Sequence, residues 1–475
     1  MRHALPPTPL RVLLINLNSY DQPYPVYPLG VAYIDGALRE AGHQTQVWDG
    51  RMSRGSIEDA LGAFDPHVVG VSMRNVDNVQ QHSPRSFVKE TIECCAQIRM
   101  RTNAVLVLGG SGFSIFPKEL FEQTGVDFGI QGEGELTLND LIRSLQAGGS
   151  VETIPGLVFR SDSGEVRWDP AGPRRAVFSS VPYHVPELIK AYAGEGSLPG
   201  IQTQRGCPLR CCYCTYPLIE GKESRYRTGE QIAEEMRRLA ALGVKYTFIV
   251  DSVFNTRADH VVEVCEALIR ADTGVNWECF LRPRGATREL LALMKRAGMR
   301  HVEFGSDSFS DPVLKAYRKS FTFEEIRAVS EHAHALGLHY SHFLIFGGPG
   351  ETPATIDETL ERSAQLPGAY YFATVGMRVY PGTPLWREVA PEARGEVPAD
   401  YLSEPRFYLS RELEAGTLYQ RLSAFRSQHP NWIIGDPPPN FVATIGKLRK
   451  RGVQGPAWEY IEYLQRMQAS QQPRA

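Results

Sequence analysis

The sequence has few cysteines for its length, and this scarcity excludes a fold built on disulfides. Only 8 of its 475 residues are cysteine, whereas small secreted domains that depend on disulfides are far richer. No apolar run approaches the ~20 residues that a membrane-spanning helix needs. A strong charge of one sign is also missing, because 51 basic residues stand against 54 acidic ones. This balance argues against a nucleic-acid-binding protein, which would carry a basic field.

The N-terminus carries only a short apolar run at residues 12–15. A secretory signal needs a longer apolar core. We therefore expect a cytoplasmic protein with no transmembrane segment and no nucleic-acid partner. A chain of 475 residues, of which 42% are hydrophobic, is too long for one ordinary core, so we expect two or three domains.

The first part of the chain alternates strand and helix patterns. Strand-like apolar runs occupy residues 12–15, 46–48, 68–72 and 105–108, with a helical pattern at 30–41. Short, fully apolar strands separated by helices are typical of a parallel sheet covered on both faces. We predict an α/β fold whose N-terminal domain, residues 1–148, is a doubly wound, Rossmann-like parallel sheet. Such sheets bind ligands beyond the carboxyl ends of their strands.

The rest of the chain divides into a connector, a second α/β region and a tail. Residues 149–195 read as a linker, because strand-like runs flank Asp162-Ser163-Gly164 as in a hairpin. Residues 196–395 resume the alternation, which predicts a barrel or partial barrel of repeated βα units. One of its predicted strands covers residues 373–379. Residues 396–475 read as a small, mainly helical C-terminal region.

The most specific motif is a cysteine cluster with the spacing CxxxCxxC. Cys207, Cys211 and Cys214 follow a strand-like run, and Cys212 fits only as a spacer. Three thiolates can bind three irons of a [4Fe–4S] cubane and leave the fourth iron open to a substrate. Structural zinc is the alternative, although it usually takes four cysteine or histidine ligands.

These cysteines and the segments behind them resemble the radical SAM superfamily, whose members split S-adenosylmethionine (SAM) at such a cluster. The resemblance continues through DSVFN at 251–255, FGSDS at 304–308, FGGPGET at 346–352 and YPGTPL at 380–385. It implies that SAM contacts come from Tyr213, Asp251, Ser252, Asp307, Ser308, Gly347, Gly348, Pro349, Gly350 and Glu351. Asp307 stands where the family usually has the longer glutamate. The family fold implied for this region is a partial (β/α)6 barrel.

The N-terminal domain resembles the cobalamin-binding domain of the B12-dependent members. The matching stretches are YPLG at 27–30, GGSGFS at 109–114 and GEGE at 132–135. The resemblance implies that cobalamin contacts come from Gly109, Gly110, Ser111, Gly132 and Glu133. The alternative is a domain that keeps the fold without the cofactor. The pattern D-x-H-x-x-G at 65–70 is a chance match, because His67 precedes a strand and so lies at the edge opposite the ligand.

The resemblance implies a cobalamin-dependent methyltransferase acting on an unactivated carbon. A 5′-deoxyadenosyl radical from SAM would remove a hydrogen, and methylcobalamin would deliver the methyl group. The expected partners are a small-molecule or lipid substrate of lipid or secondary metabolism, and flavodoxin or ferredoxin as a low-potential electron donor. No catalytic residue is assigned.

Three other functions stay open at the level of the sequence. One is a radical SAM enzyme without cobalamin, which transfers a 3-amino-3-carboxypropyl group or drives a rearrangement or cyclisation. Another is RNA methylthiolation, which fits poorly because the N-terminal domain has only Cys94 and Cys95. The last is an iron–sulfur scaffold or sensor that binds SAM without turnover.

Overall fold

The computed structural model describes residues 5–6, 9–21, 24–169, 183–389, 397–398, 400–435, 439–450 and 460. Parts of the predicted linker (170–182) and most of the predicted C-terminal region after residue 450 lie outside the described residues. The strands are β1 Arg11–Asn16, β2 Gln44–Asp49, β3 Val68–Ser72, β4 Val105–Gly109, β5 Phe128–Ile130, β6 Leu157–Arg160, β7 Val166–Trp168, β8 Gly200–Ile201, β9 Gln204–Arg205, β10 Arg225–Tyr226, β11 Tyr246–Ile249, β12 Asn276–Leu281, β13 Met299–Asp307, β14 His339–Phe346, β15 Tyr370–Val375, β16 Met377–Arg378, β17 Phe407–Tyr408 and β18 Trp432–Ile434.

Helices connect most of these strands. They are α1 Leu29–Glu40, α2 Ile57–Phe64, α3 Val88–Arg101, α4 Ser111–Ile115, α5 Pro117–Thr124, α6 Gly134–Ala147, α7 Pro186–Gly194, α8 Tyr216–Ile219, α9 Gly229–Ala241, α10 Ala258–Ala271, α11 Arg288–Arg296, α12 Asp311–Ala316, α13 Phe323–Ala335, α14 Pro353–Ser363, α15 Pro384–Val389, α16 Asp400–Ser403, α17 Ala415–Gln428 and α18 Pro439–Lys450. Within the described residues, none of them has the length and apolar composition that crossing a bilayer requires.

The N-terminal sheet is doubly wound, as predicted. Its strand order is β2-β1-β3-β4-β5-β6-β7, and the first five strands are parallel. Alternate residues of β1 enter different cores: Val12 and Leu14 pack with α1 and α6, whereas Leu13 and Ile15 pack with α3. Apolar side chains on both faces explain why the strands read as continuous hydrophobic runs.

The second sheet is an open, all-parallel array with the order β18-β15-β14-β13-β12-β11-β8. Helices α9, α10, α11, α13 and α14 lie between its consecutive strands, which confirms the predicted partial barrel. One large core fills the space between these helices and the sheet, and it includes Trp277, Phe304 and Trp432.

Three features of the fold differ from the sequence prediction. The hairpin β6–β7 pairs antiparallel with β5 and so extends the N-terminal sheet rather than standing in a separate linker. The strand predicted at residues 373–379 is broken at Gly376, whose φ is +80°. The short strand β18 pairs with β15 inside the region predicted as helical. The division into domains otherwise stays a prediction.

Candidate active site between the two sheets

The cysteine loop begins at a glycine that no other residue can replace without movement. Gly206 follows β9 and has φ +88°, and an added Cβ would collide with the carbonyl oxygen of Glu223. The next residue, Cys207, donates its backbone N–H to the carbonyl of Gly221 at 3.0 Å. Positive φ and close backbone approach are conditions that only glycine meets without strain. Gly206 therefore fixes the direction in which the cysteine loop leaves β9.

The three predicted ligands lie together on this loop. Cys207 is buried, while Cys211 and Cys214 are half-buried. Burial raises the pKa of both Cys211 and Cys214, and the neighbouring cysteine sulfurs add to this rise. Among the described residues, no three His, Cys, Asp or Glu side chains converge as ligands of one ion. Thiolates that bind three different irons of a cubane need not converge on one point, whereas ligands of a structural zinc must. The assignment of the three cysteines to a [4Fe–4S] cluster therefore stays a prediction from their spacing.

Asp307 has internal partners in this structure. Its Oδ2 accepts a hydrogen bond from the Tyr213 hydroxyl at 2.6 Å and forms an ion pair with Lys319 Nζ at 2.6 Å. The backbone of Asp307 has φ +65°, a conformation that a non-glycine residue adopts only when its surroundings hold it there. These contacts fix the cysteine loop to the end of β13, and the predicted contact between Asp307 and SAM stays a prediction.

Asp251 is likewise turned inward. It is fully buried and accepts hydrogen bonds from the Thr203 hydroxyl at 2.5 Å and from the backbone N–H groups of Thr203 at 2.7 Å and Gln204 at 3.2 Å. Burial raises its pKa to about 7, although these hydrogen bonds oppose the shift. Asp251 therefore braces the turn between β8 and β9. The neighbouring Ser252 Oγ is buried without a hydrogen-bond partner among the described residues, so it stays available to a polar ligand.

The glycine-rich turn after β14 is organised around Glu351. Its Oε2 accepts hydrogen bonds from the Gly347 N–H and, at 3.4 Å, from the Tyr317 hydroxyl. An added Cβ at Gly348 would collide with the Tyr317 ring. The other oxygen, Oε1, is buried without a partner among the described residues. Both this atom and Ser252 Oγ belong to loops at the carboxyl ends of strands β11 and β14, where the family resemblance predicts SAM. Ser308 instead contacts Thr359 at 3.2 Å.

The buried carboxyl group of Glu351 makes the free energy of unfolding depend on pH. Burial raises its pKa from 4.5 to about 8. An acid that holds its proton more tightly in the folded state destabilises that state as pH rises from the unfolded pKa to the folded one. We expect Glu351→Gln to gain stability relative to the parent protein between about pH 5 and pH 8. Urea unfolding of both proteins across this range measures the difference, and a difference that does not change with pH would contradict the prediction.

One cavity of about 650 Å³ joins the carboxyl edge of the N-terminal sheet to the barrel mouth. All five predicted cobalamin contacts are at this edge, and Gly109, Gly110, Ser111, Gly132 and Glu133 line the cavity. On the opposite wall are Tyr213 and Cys214 of the cysteine loop. His67 is at the other end of β3, where its Nδ1 accepts the backbone N–H of Arg11 at 3.0 Å. The structure therefore confirms that His67 cannot reach this cavity.

The GEGE stretch connects the N-terminal domain to the short antiparallel pair β9–β10, just before the cysteine loop, through largely buried ion pairs. Glu133 pairs with Arg225 and, at 3.2 Å, with Arg205, while Glu135 pairs with Arg205 at 2.5 Å. Arg205 is the residue directly before Gly206, so these carboxylates orient the start of the cysteine loop. Glu133 thus has partners inside the protein and also lines the cavity, and its contact with cobalamin stays a prediction. Sequence reasoning missed this network because its members are about 70 residues apart.

Arg74 also lies at the cavity, although no sequence motif points to it. It lies just beyond β3 in the cavity wall, and its guanidinium contacts Asn75 Oδ1 at 3.3 Å. Burial lowers its pKa, and no carboxylate is among the groups that raise it. Arg74 is half-buried by its surface exposure and has no acidic partner among the described residues, and a poorly solvated cation without such a partner is costly to the folded state. The cavity therefore offers a positive charge to an anionic or strongly polar group of a ligand.

Models of known protein families match both the N-terminal domain and the barrel region of this chain. The radical SAM superfamily model covers residues 201–362, and the B12 binding domain model covers residues 21–142. The chain belongs to the radical SAM superfamily. It is one of the members with a B12 binding domain, and the predicted fold and the predicted cofactor set of [4Fe–4S] cluster, SAM and cobalamin are confirmed at the level of these families.

Individual relatives of this radical SAM chain include several methyltransferases. An uncharacterized methyltransferase of Pyrococcus horikoshii is 27% identical over 76% of the chain and 77% of its own length. Tryptophan 2-C-methyltransferase of Streptomyces laurentii is 26% identical over 81% of the chain and 75% of its own length. The solved structure of the radical SAM methyltransferase TsrM from Kitasatospora setae, with cobalamin and a [4Fe–4S] cluster bound, superposes with a TM-score of 0.85 at 26% identity, covering 96% of this chain and 97% of that one.

Proposed function

We propose that this enzyme transfers a methyl group to an unactivated carbon of a small organic substrate, with cobalamin as the methyl carrier. The observation that carries the proposal is the shared cavity: residues of the predicted cobalamin edge and of the cysteine loop line one space. When bound, the cluster and SAM supply reductive C–S bond cleavage, and cobalamin supplies a transferable methyl group. The methyltransferase relatives support the same reaction class.

We propose that Cys207, Cys211 and Cys214 hold the cluster, and that Ser252 and Glu351 contact SAM. The three cysteines lie on one loop that Gly206 and Arg205 orient, and the two polar groups have unpaired atoms at the adjacent barrel edge. Gly109, Gly110, Ser111 and Gly132 would form the surface against which cobalamin lies. In this arrangement the protein brings three groups to one cavity and limits the access of water to them.

The inner side of the barrel sheet favours a substrate with an apolar body. Val250, Ile345 and Thr374 line the cavity, and side chains two positions earlier on a strand point to the same face. Those positions carry Phe248, Phe343 and Phe372, and Phe280 completes a layer with centroid distances of 4.9 Å to Phe248 and 6.1 Å to Phe343. We therefore propose an apolar lipid or secondary metabolite as substrate. A flavodoxin or ferredoxin is the proposed electron donor.

Anaerobic purification with cobalamin supplied tests the proposal. We expect about four irons and one corrinoid per chain, and S-adenosylhomocysteine together with 5′-deoxyadenosine as the products of SAM. Iron and sulfide assays, the visible spectrum of the corrinoid and chromatography of the nucleosides measure these quantities.

The products separate this proposal from the alternatives. Methylthioadenosine would indicate 3-amino-3-carboxypropyl transfer, and 5′-deoxyadenosine without S-adenosylhomocysteine would indicate a rearrangement or cyclisation. Four irons without any corrinoid would show that the N-terminal domain keeps its fold without the cofactor. SAM binding with no cleavage under strong reduction would instead indicate a scaffold or sensor.

A further inference from the structure

A buried lysine lies beside the cysteine loop. Lys319 follows α12, and its side chain is 7% exposed. Its Nζ forms the ion pair with Asp307 at 2.6 Å and donates to the carbonyl of Gly305 at 3.1 Å. It also lies 5.7 Å from the centre of the Tyr213 ring, between the second and third cysteines of the motif. Lys319 is thus held from two sides and cannot turn to solvent.

This ammonium group also acts on the sulfur ligands. Burial raises the pKa of Cys211 and of Cys214, and the charge of Lys319 opposes that rise at both sulfurs. Burial alone would lower the pKa of Lys319, but Asp307 and Cys211 raise it above its ordinary value. The group is therefore a fixed cation next to two of the three sulfurs.

We propose that Lys319 is a positioning residue that raises the reduction potential of the cluster through its charge, and that Asp307 limits this effect. The inference rests on the proposed role of the three cysteines as cluster ligands. Net charge and hydrogen bonds to the sulfurs are among the properties that set the potential of an iron–sulfur cluster. A cation stabilises the state that has gained an electron, and a nearby carboxylate opposes it.

The two partners should therefore shift the potential in opposite directions. Lys319→Met removes the cation and leaves Asp307 in place, so the potential should fall below that of the parent protein. Asp307→Asn removes the carboxylate and leaves the cation, so the potential should rise. The double variant Lys319→Met with Asp307→Asn removes both charges and should lie between the two single variants.

The experiment is an EPR-monitored reductive titration of the full chain with a reconstituted cluster, without SAM, cobalamin or substrate. Because the readout is the potential itself, failure of methyl transfer in a separate assay would count against the proposed function and not against this inference. Lys295→Met is the matched control. Lys295 Nζ also donates to a backbone carbonyl, that of Leu336, but it lies at the end of α11, before β13 begins. Its removal should leave the potential unchanged.

Three results would overturn the inference. One is an unchanged potential in Lys319→Met at full iron content. Another is a shift of both single variants in the same direction, which a purely structural disturbance would produce. The third is loss of iron from Lys319→Met, because the lysine would then be needed for cluster assembly rather than for tuning.

Discussion

Cys214→Ala is expected to lose its iron–sulfur cluster and all cleavage of SAM, while Cys212→Ala keeps both. The two cysteines are two positions apart on the same loop, but they face different surroundings. Cys214 lines the cavity, whereas Cys212 is buried with its sulfur 3.7 Å from that of Met377. Removing one of three ligands leaves a cubane with two open irons, which the protein cannot retain against loss to solvent.

Iron and sulfide content after anaerobic reconstitution measures this difference. We expect about four irons per chain in the parent protein and in Cys212→Ala, and a background level in Cys214→Ala. The 5′-deoxyadenosine formed under strong reduction should follow the iron. Cys207→Ala and Cys211→Ala should behave like Cys214→Ala. A Cys212 variant that also lost its cluster would show that the ligand set inferred from the spacing is wrong.

Most of the fold and of the candidate site was predicted from the motif spacing and from the alternation of apolar runs. Local features determine both: Gly206 and the cysteines are neighbours in sequence, and the runs at β1, β3 and β4 are apolar because both sheet faces are covered. Such features need no knowledge of distant partners. The sheet order and the cofactor edge follow from them, because the strand ends of a parallel sheet meet at one side.

The roles of single carboxylates could not be predicted in this way. Asp251, Asp307 and Glu133 occupy positions that the family resemblance gives to cofactor contacts, yet each has partners inside the protein. The partner of Asp307 is Lys319, which the sequence pattern did not distinguish from a surface lysine. The partner of each carboxylate depends on distances between loops that are far apart in the sequence. The strand β18 was missed for a different reason, because a run of three residues is too short to show the alternation that predicts a strand.

A second large effect is expected at the contact between the loop after β3 and the short antiparallel pair β16–β17. Arg378 of β16 pairs with Asp77, beyond β3, at 2.9 Å, and the two side chains are 2% and 0% exposed. Arg378→Met would leave the Asp77 carboxylate buried without its cation. Loss of one partner of a buried ion pair typically costs about 3–5 kcal/mol. We expect a fall of this size in the free energy of unfolding, measured by urea denaturation.

A double variant separates the ion pair from packing. Asp77 Oδ1 also accepts the backbone N–H of Val79 at 2.9 Å, and asparagine keeps that acceptor while removing the charge. Arg378→Met with Asp77→Asn should therefore recover most of the stability that Arg378→Met loses.

The exposed pair of Arg237 and Glu230 provides the control, because Arg237→Met removes an equal charge from a solvated surface and should change stability little. If the double variant were as unstable as Arg378→Met, the loss would come from the packing of the arginine side chain and not from the unpaired carboxylate.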